Sequence, residues 1–584
     1  MIRFLFRNIT RCVLWAIDLL ARLTGRHRPY NALQIELTGH IAEAGVLGFL
    51  PFRRPTAPDL FALTTLLRWA REDEQLSAVV LVIDNLDTGW ARLQNLRRSI
   101  QALRHAGKYV LVYLAEGGTQ EYYLASAANA VAMAPAGHLT VTGLAAETMF
   151  FKGALDKLGI EAQVTQAGQY KSAGEPFTRT SLSEPHREMM NSLLDDLYDQ
   201  IVEGVASTRN TDKATVRDLI DQGLFLPREA QEMGLIDHIG YEDDIPHWLE
   251  SRGEQGKTEK KGRAAAVNSA ESDPTDSTDP NLFIEAGAYL RRRGRLMRRQ
   301  ALRYPPARIA FMTVGGTITR GETETGSDGI QSTGSNSVIR DLRHIRENPE
   351  IAGVLIRVSS PGGSGLASDL VWHEILQTKE EKPVIISLGD VAASGGYYIA
   401  LAGTTVFAEE GTVTGSIGVI AGKAVLHGLY AQLGLDKEIL TRGKRAALFS
   451  DYLAFGPAEQ ERMKSEIQSF YRDFVKKVAQ CRSLSYEAVD ACAQGRVWSG
   501  RQAVARGLVD RIGGLEESLA ELKYRVGLPD YWPVGVERFP KPASLLRLPS
   551  LLRLLPLGGR VYGTGWPWER DRIWAILPFS LRFL

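Results

Sequence analysis

From Leu33 onward the chain is built of short, mainly apolar runs, each closed by a turn and followed by a stretch of helical character. Ala78–Ile83, Val110–Tyr113, Gly353–Val358 and Val384–Leu388 have the length and β-branched content of strands covered on both faces, as in parallel sheets. Stretches such as Leu93–Ala106 lie between them, and the alternation predicts an α/β fold. The pattern also repeats, with a period of roughly 275 residues, too long for a solenoid and suited to a duplicated domain. Leu33–Ile41 matches Ile309–Ile318, Ala78–Ile83 matches Ala352–Arg357, and Tyr122–Ala127 matches Tyr397–Ala402. Val141-Thr-Gly lies opposite Val413-Thr-Gly, and Gln222-Gly opposite Gln494-Gly. Two tandem copies are expected, at 31–250 and 306–530.

Three stretches fall outside the repeat. Residues 1–30 begin with an apolar segment in which Arg3, Arg7, Arg11, Asp18 and Arg22 recur on one helical face. Its uncharged run from Cys12 to Ile17 is far short of the ~20 residues that cross a bilayer, so an amphipathic helix at a membrane surface is expected. Residues 251–305 combine a polar linker with a predicted helix over 281–303 rich in arginine, which suits either a solvated bridge or anionic lipid. The extension 531–584 mixes leucine, arginine and Trp566, Trp568 and Trp574, an interfacial composition expected to meet a membrane surface or another subunit.

Composition narrows the functional classes. A net charge of +1 gives no nucleic-acid footprint. Cys12, Cys481 and Cys492 form neither a metal-binding spacing nor a disulfide framework, and no metal or cofactor is expected.

The candidate chemistry gathers at strand ends. Val384–Leu388 leads into Gly-Asp-Val-Ala-Ala-Ser394-Gly-Gly-Tyr-Tyr, which places a serine among small residues on a strand-to-helix turn, where it can be presented as a nucleophile. About thirty residues earlier, Ser360-Pro-Gly-Gly-Ser364 closes another strand with glycines that let backbone N–H groups approach a ligand. Thr414-Gly-Ser-Ile-Gly418 adds a third glycine-bracketed turn. A serine needs a base, and none of the ten histidines lies in these motifs. A lysine serves if burial lowers its pKa, and Lys171, in Tyr-Lys-Ser-Ala-Gly-Glu-Pro-Phe, has the small and apolar setting that would do so. The two copies have diverged in a complementary way: Thr119 stands opposite Ser394, Asp87-Thr-Gly opposite Pro361-Gly-Gly, and Ala446 opposite Lys171. Lys423 and Lys444 are the competing bases.

Taken together, Ser-Pro-Gly-Gly-Ser at 360–364, Ala-Ser-Gly-Gly-Tyr at 393–397, Thr-Gly-Ser-Ile-Gly at 414–418 and the Lys171 motif resemble signal peptide peptidase A in its long tandem form. The resemblance implies tandem ClpP/crotonase-like spiral β-β-α domains and a serine endopeptidase with Ser394 as nucleophile and Lys171 as general base. It further implies an oxyanion hole of Gly363 and Gly395 N–H groups, and Ser416 positioning Lys171. By the same resemblance the substrates are signal peptides and other apolar peptides, the assembly is a homotetramer, and the location is the bacterial inner or cell membrane. Long members of that family carry an N-terminal transmembrane segment, a feature the arginine-striped 1–26 departs from. A crotonase-like acyl-CoA enzyme and a non-catalytic membrane scaffold are the rival readings.

Overall fold

The structure is a computed structural model that describes residues 31–43, 59–251, 283–303, 307–325, 331–530, 532–541 and 574–576. The segment 1–30, nearly all of the polar linker, and most of the C-terminal extension lie outside the described residues.

The chain forms two compact units, and they do not follow chain order. One contains 1–143 and 201–306, the other 144–200 and 307–584. The expected boundaries, 31–250 and 306–530, run along the chain, whereas 144–200 is packed into the unit that contains the later copy.

In the first unit, β1 (Ala32–His40), β2 (Ala78–Asp87), β3 (Tyr109–Leu114) and β4 (Ala130–Met133) form the middle of a parallel sheet, with short edge strands at His238–Ile239 and Phe283–Glu285. The apolar runs are central strands: Val79, Leu81 and Ile83 are buried on one face, and Val80 on the other packs with Leu111 and Tyr113. Helices α1 (Leu60–Glu72), α2 (Trp90–His105) and α3 (Thr119–Ala125) belong to this unit. Asp59 caps α1 by accepting from Ala62 N–H at 2.7 Å, one of the donors a helix start leaves unpaired. The arginine-rich helix Ala286–Arg303 also packs here, through buried Tyr289, whose hydroxyl donates to Asp73 Oδ2 at 3.1 Å, while Arg291 and Arg295 are exposed.

The second unit has two sheets. The first contains β6 (Ala307–Gly315), β8 (Ile351–Ser360), β10 (Val384–Ala393), β11 (Val413–Gly415), β13 (Val497–Ser499) and β14 (Val534–Phe539), in the order β13-β11-β10-β8-β6-β14. Its central pairs are parallel, with Val354 beside Val384 and Ala392 beside Thr414. The second sheet contains β5 (Glu161–Ala167), β7 (Thr317–Thr319), β9 (Gly362–Ser364), β12 (Val419–Val425) and β15 (Trp574–Ile576). Here β5 runs antiparallel to β12 from Ala167 opposite Val419 to Glu161 opposite Val425, and this ladder is what carries residues 144–200 into the unit. Helices α4 (Gly365–Glu381), α5 (Gly395–Ala400) and α6 (Pro457–Arg482) surround a core of Ile356, Val358, Ile386, Leu388, Ile399, Ile467 and Phe474. Each such side chain taken out of water stabilises the fold by about 1.5–3 kcal/mol before the entropy cost of ordering it.

Among the described residues no helix is long and apolar enough to cross a membrane.

Candidate active site

Ser394 stands where β10 gives way to α5, with φ +56° and ψ −114°, a conformation that L-residues rarely adopt outside strained turns. Several contacts fix it. Ser394 N–H donates to the Gly415 carbonyl at 2.8 Å, and the Ser394 carbonyl accepts from Tyr398 N–H at 2.8 Å. The helix behind it is anchored by two buried tyrosines: Tyr397 donates to the Leu508 carbonyl at 2.8 Å and Tyr398 to Asp369 Oδ1 at 2.6 Å. The glycine at 396 is required by a close approach, because a Cβ there would lie 2.5 Å from the Ser360 carbonyl oxygen. The Ser-Pro-Gly-Gly turn and the Ala-Ser-Gly-Gly turn are therefore packed against each other, with Gly363 on β9 and Gly395 at the first position of α5.

Lys171 reaches this serine from the loop that follows β5. Its Nζ lies 2.7 Å from Ser394 Oγ, 2.9 Å from Ser416 Oγ and 3.0 Å from the Ser416 carbonyl. Lys171, Ser394 and Ser416 each have 0% exposure. Burial pulls the Lys171 ammonium well below its ordinary value of 10.5, since a charge in an apolar interior loses its hydration. Burial is the cause of that shift, and no carboxylate contributes to it.

The segment Gln494–Arg496 holds the two halves of this arrangement together. The Gln494 carbonyl accepts from Tyr170 N–H at 2.8 Å, Gly495 N–H donates to the Ile417 carbonyl at 2.7 Å, and the Arg496 carbonyl accepts from Ser416 N–H at 2.7 Å. Gly495, at φ +81°, is pressed against the lysine: a Cβ on it would lie 2.5 Å from Lys171 N and 2.6 Å from its Cα. Arg496 also pairs with Glu188 at 2.6 Å and lies over the Tyr170 ring at 4.8 Å. Buried His186 bonds Glu175 at 3.0 Å, tying the hook after Lys171 to the helix that begins at Glu184. Sequence reasoning did not single out Gly495; the signal available was its place in the repeated Gln-Gly pair.

The competing lysines are elsewhere. Lys423 donates to the carbonyls of Leu448 at 2.9 Å and Ser450 at 3.1 Å, and Lys444 is exposed. In the first unit the equivalent turn is closed by a carboxylate. Glu121 Oε1 accepts from Leu86 N–H at 2.8 Å and Oε2 from Gly118 N–H at 2.9 Å, with Thr119 buried beside it. Among the described residues no group of acidic, histidine or cysteine side chains is arranged to hold a metal.

The profile of peptidase family S49 matches residues 102–255 and again 376–528. The chain belongs to peptidase family S49. The double match agrees with a tandem α/β architecture, and the enzyme is a serine endopeptidase. Among its relatives, the chloroplastic serine protease SPPA of Arabidopsis thaliana is 34% identical over 83% of this chain and 68% of its own length. Protease 4 of Salmonella typhi is 28% identical over 79% of this chain and 71% of its own length. Of solved structures, a ClpP1 mutant from Listeria monocytogenes aligns at 17% identity with a TM-score of 0.24, covering 36% of this chain and 94% of that one.

Proposed function

We propose that this S49 peptidase works through a Ser394–Lys171 dyad and degrades apolar peptides, cleaved signal peptides foremost, at a membrane surface. The observation that carries the dyad is the 2.7 Å contact between Lys171 Nζ and Ser394 Oγ, made wholly inside the protein. A neutral amine keeps two N–H bonds, to the Ser416 hydroxyl and carbonyl, and thereby aims its lone pair at the Ser394 proton. As Ser394 Oγ attacks the peptide carbonyl, its proton passes to Lys171, and the N–H groups of Gly363 and Gly395 hold the oxyanion. Lys171 then protonates the leaving amine, and the same lysine takes a proton from the water that hydrolyses the acyl-enzyme. The finer parts of the reading rest on the resemblance and on the apolar, arginine-bearing ends of the chain: signal peptides as substrate, attachment to the bacterial inner or cell membrane, and a homotetramer.

The test is covalent trapping. A serine-directed fluorophosphonate should label Ser394 in the intact enzyme, and labelling should disappear in Ser394→Ala and Lys171→Ala. An apolar signal-peptide fragment should be cleaved in preference to a thioester. Absence of labelling, or turnover of the thioester alone, would overturn the dyad. Cofractionation with anionic vesicles and the mass of the native assembly check the membrane and tetramer assignments.

A further inference from the structure

β15 is separated from the other described residues by 542–573, yet it lies in the interior of the second sheet of its unit. It runs antiparallel to β9, pairing Trp574 with Ser364, Ala575 with Gly363 and Ile576 with Gly362. On its other edge Trp574 pairs with Ile420 of β12. β15 thus fills the space between β9 and β12, which the sheet order places on either side of it. Both flanking strands belong to the reaction site: β9 carries Gly363, and β12 follows Ser416 and pairs with the strand leading to Lys171. Helix α5, which Ser394 immediately precedes, lies against β15 as well.

A peptidase binds its substrate extended, and two strand edges facing one gap supply main-chain donors and acceptors to such a segment by strand addition. The residues around β15, Ile573-Trp-Ala-Ile-Leu577, are uncharged and apolar, the chemistry of the proposed substrate. The nucleophile beside it has 0% exposure.

We infer that Trp574–Ile576 occupies the channel that receives the substrate backbone, so that the chain's own C-terminal strand competes with peptide for the dyad. This inference rests on the proposed Ser-Lys function. A tail tethered to its own site acts at an effective concentration on the order of millimolar, so an intrinsic dissociation constant of about 0.1 mM would leave roughly one site in ten open. The substrate KM then rises about tenfold with kcat unchanged.

The experiment compares the full chain, a chain ending at residue 569, and the full-length variant Ala575→Pro, whose missing N–H and ring disrupt a central ladder position. Two readouts are taken: the rate of fluorophosphonate labelling, and KM and kcat on a soluble peptide ester. Both variants should label about tenfold faster and show a lower KM at equal kcat, and a synthetic peptide of residues 571–580 should inhibit the shortened enzyme competitively. Wild-type labelling rates and KM in both variants, or a peptide without effect, would overturn the inference while leaving the dyad standing. If no form labels, including the wild type, the dyad itself is wrong and the inference falls with it. Should the shortened chain fail to fold, Ala575→Pro and the peptide added to it decide the matter.

Discussion

Gly495→Ala is the sharpest probe of how the lysine is positioned, because it alters no group that takes part in the chemistry. The added Cβ would lie 2.5 Å from Lys171 N, and ordinary contact begins near 3.4 Å, so the lysine backbone must recede by about 0.9 Å. A displacement of that size along the Lys171–Ser394 bond would open it from 2.7 Å to roughly 3.6 Å, past hydrogen-bonding range. Misplacing a reacting group by about 1 Å costs on the order of 10²-fold in rate, near 2.7 kcal/mol of transition-state stabilisation. The left-handed backbone adds a stability cost of about 1–2 kcal/mol for any side chain at φ +81°. Gly434→Ala separates the two effects, since that residue has φ +68° and nothing within 4 Å of its Cβ position. The assay is kcat/KM on a peptide ester, normalised to active sites by phosphonate titration, alongside thermal unfolding. Gly434→Ala should lose stability and keep its activity, whereas Gly495→Ala should lose both. A folded Gly495→Ala enzyme within threefold of wild type would refute the claim that this contact sets the lysine's position.

Ser394→Ala and Lys171→Met should each lower kcat/KM by at least ~10³-fold, with the double variant little worse, because the two act as a unit. Ser416→Ala removes one of the oxygens that hold the amine and leaves the carbonyl, so a loss of about 10–100-fold in kcat at nearly constant KM is expected from the value of a hydrogen bond to a charged group. With a neutral Lys171 as the proposed base, the rate should rise with pH through the lowered Lys171 value, level off, and reach its plateau well below pH 10.5. Stability follows the same sign: between the lowered value and 10.5 the unfolded chain binds more protons than the folded one, so wild type should gain stability with rising pH relative to Lys171→Met. Equal slopes in urea titrations across that range would refute a buried neutral lysine.

Much of this was legible from pattern. The strands Ala78–Ile83 and Val384–Leu388 announced themselves as apolar runs because parallel strands are covered on both faces. Even so, buried Arg357 interrupts one run, and only the structure shows it satisfied by Ser387 Oγ at 2.8 Å and the Leu388 carbonyl at 2.7 Å on the neighbouring strand. The serine turn was legible because its glycines answer to local backbone demands. The packing of 144–200 with the later copy was not, since it depends on the β5–β12 ladder, and β5 reads as the polar, half-exposed sequence Glu-Ala-Gln-Val-Thr-Gln-Ala. Gly495 was hidden for a related reason: its neighbour in space is distant in sequence, and a close approach of two loops leaves no periodicity.

The span between Lys171 and Ser394 also has a consequence in time. The lysine is synthesised 223 residues before the serine, and its segment finds its packing partners only in the unit completed from residue 307 onward. At ribosomal rates of about 5–20 residues per second, roughly 11–45 seconds pass between the emergence of the one and of the other. A nascent chain working through this pair therefore has no hydrolytic capacity until Ser394 has been made, and over that interval the order of synthesis delays activity as a removable pro-segment does in other enzymes.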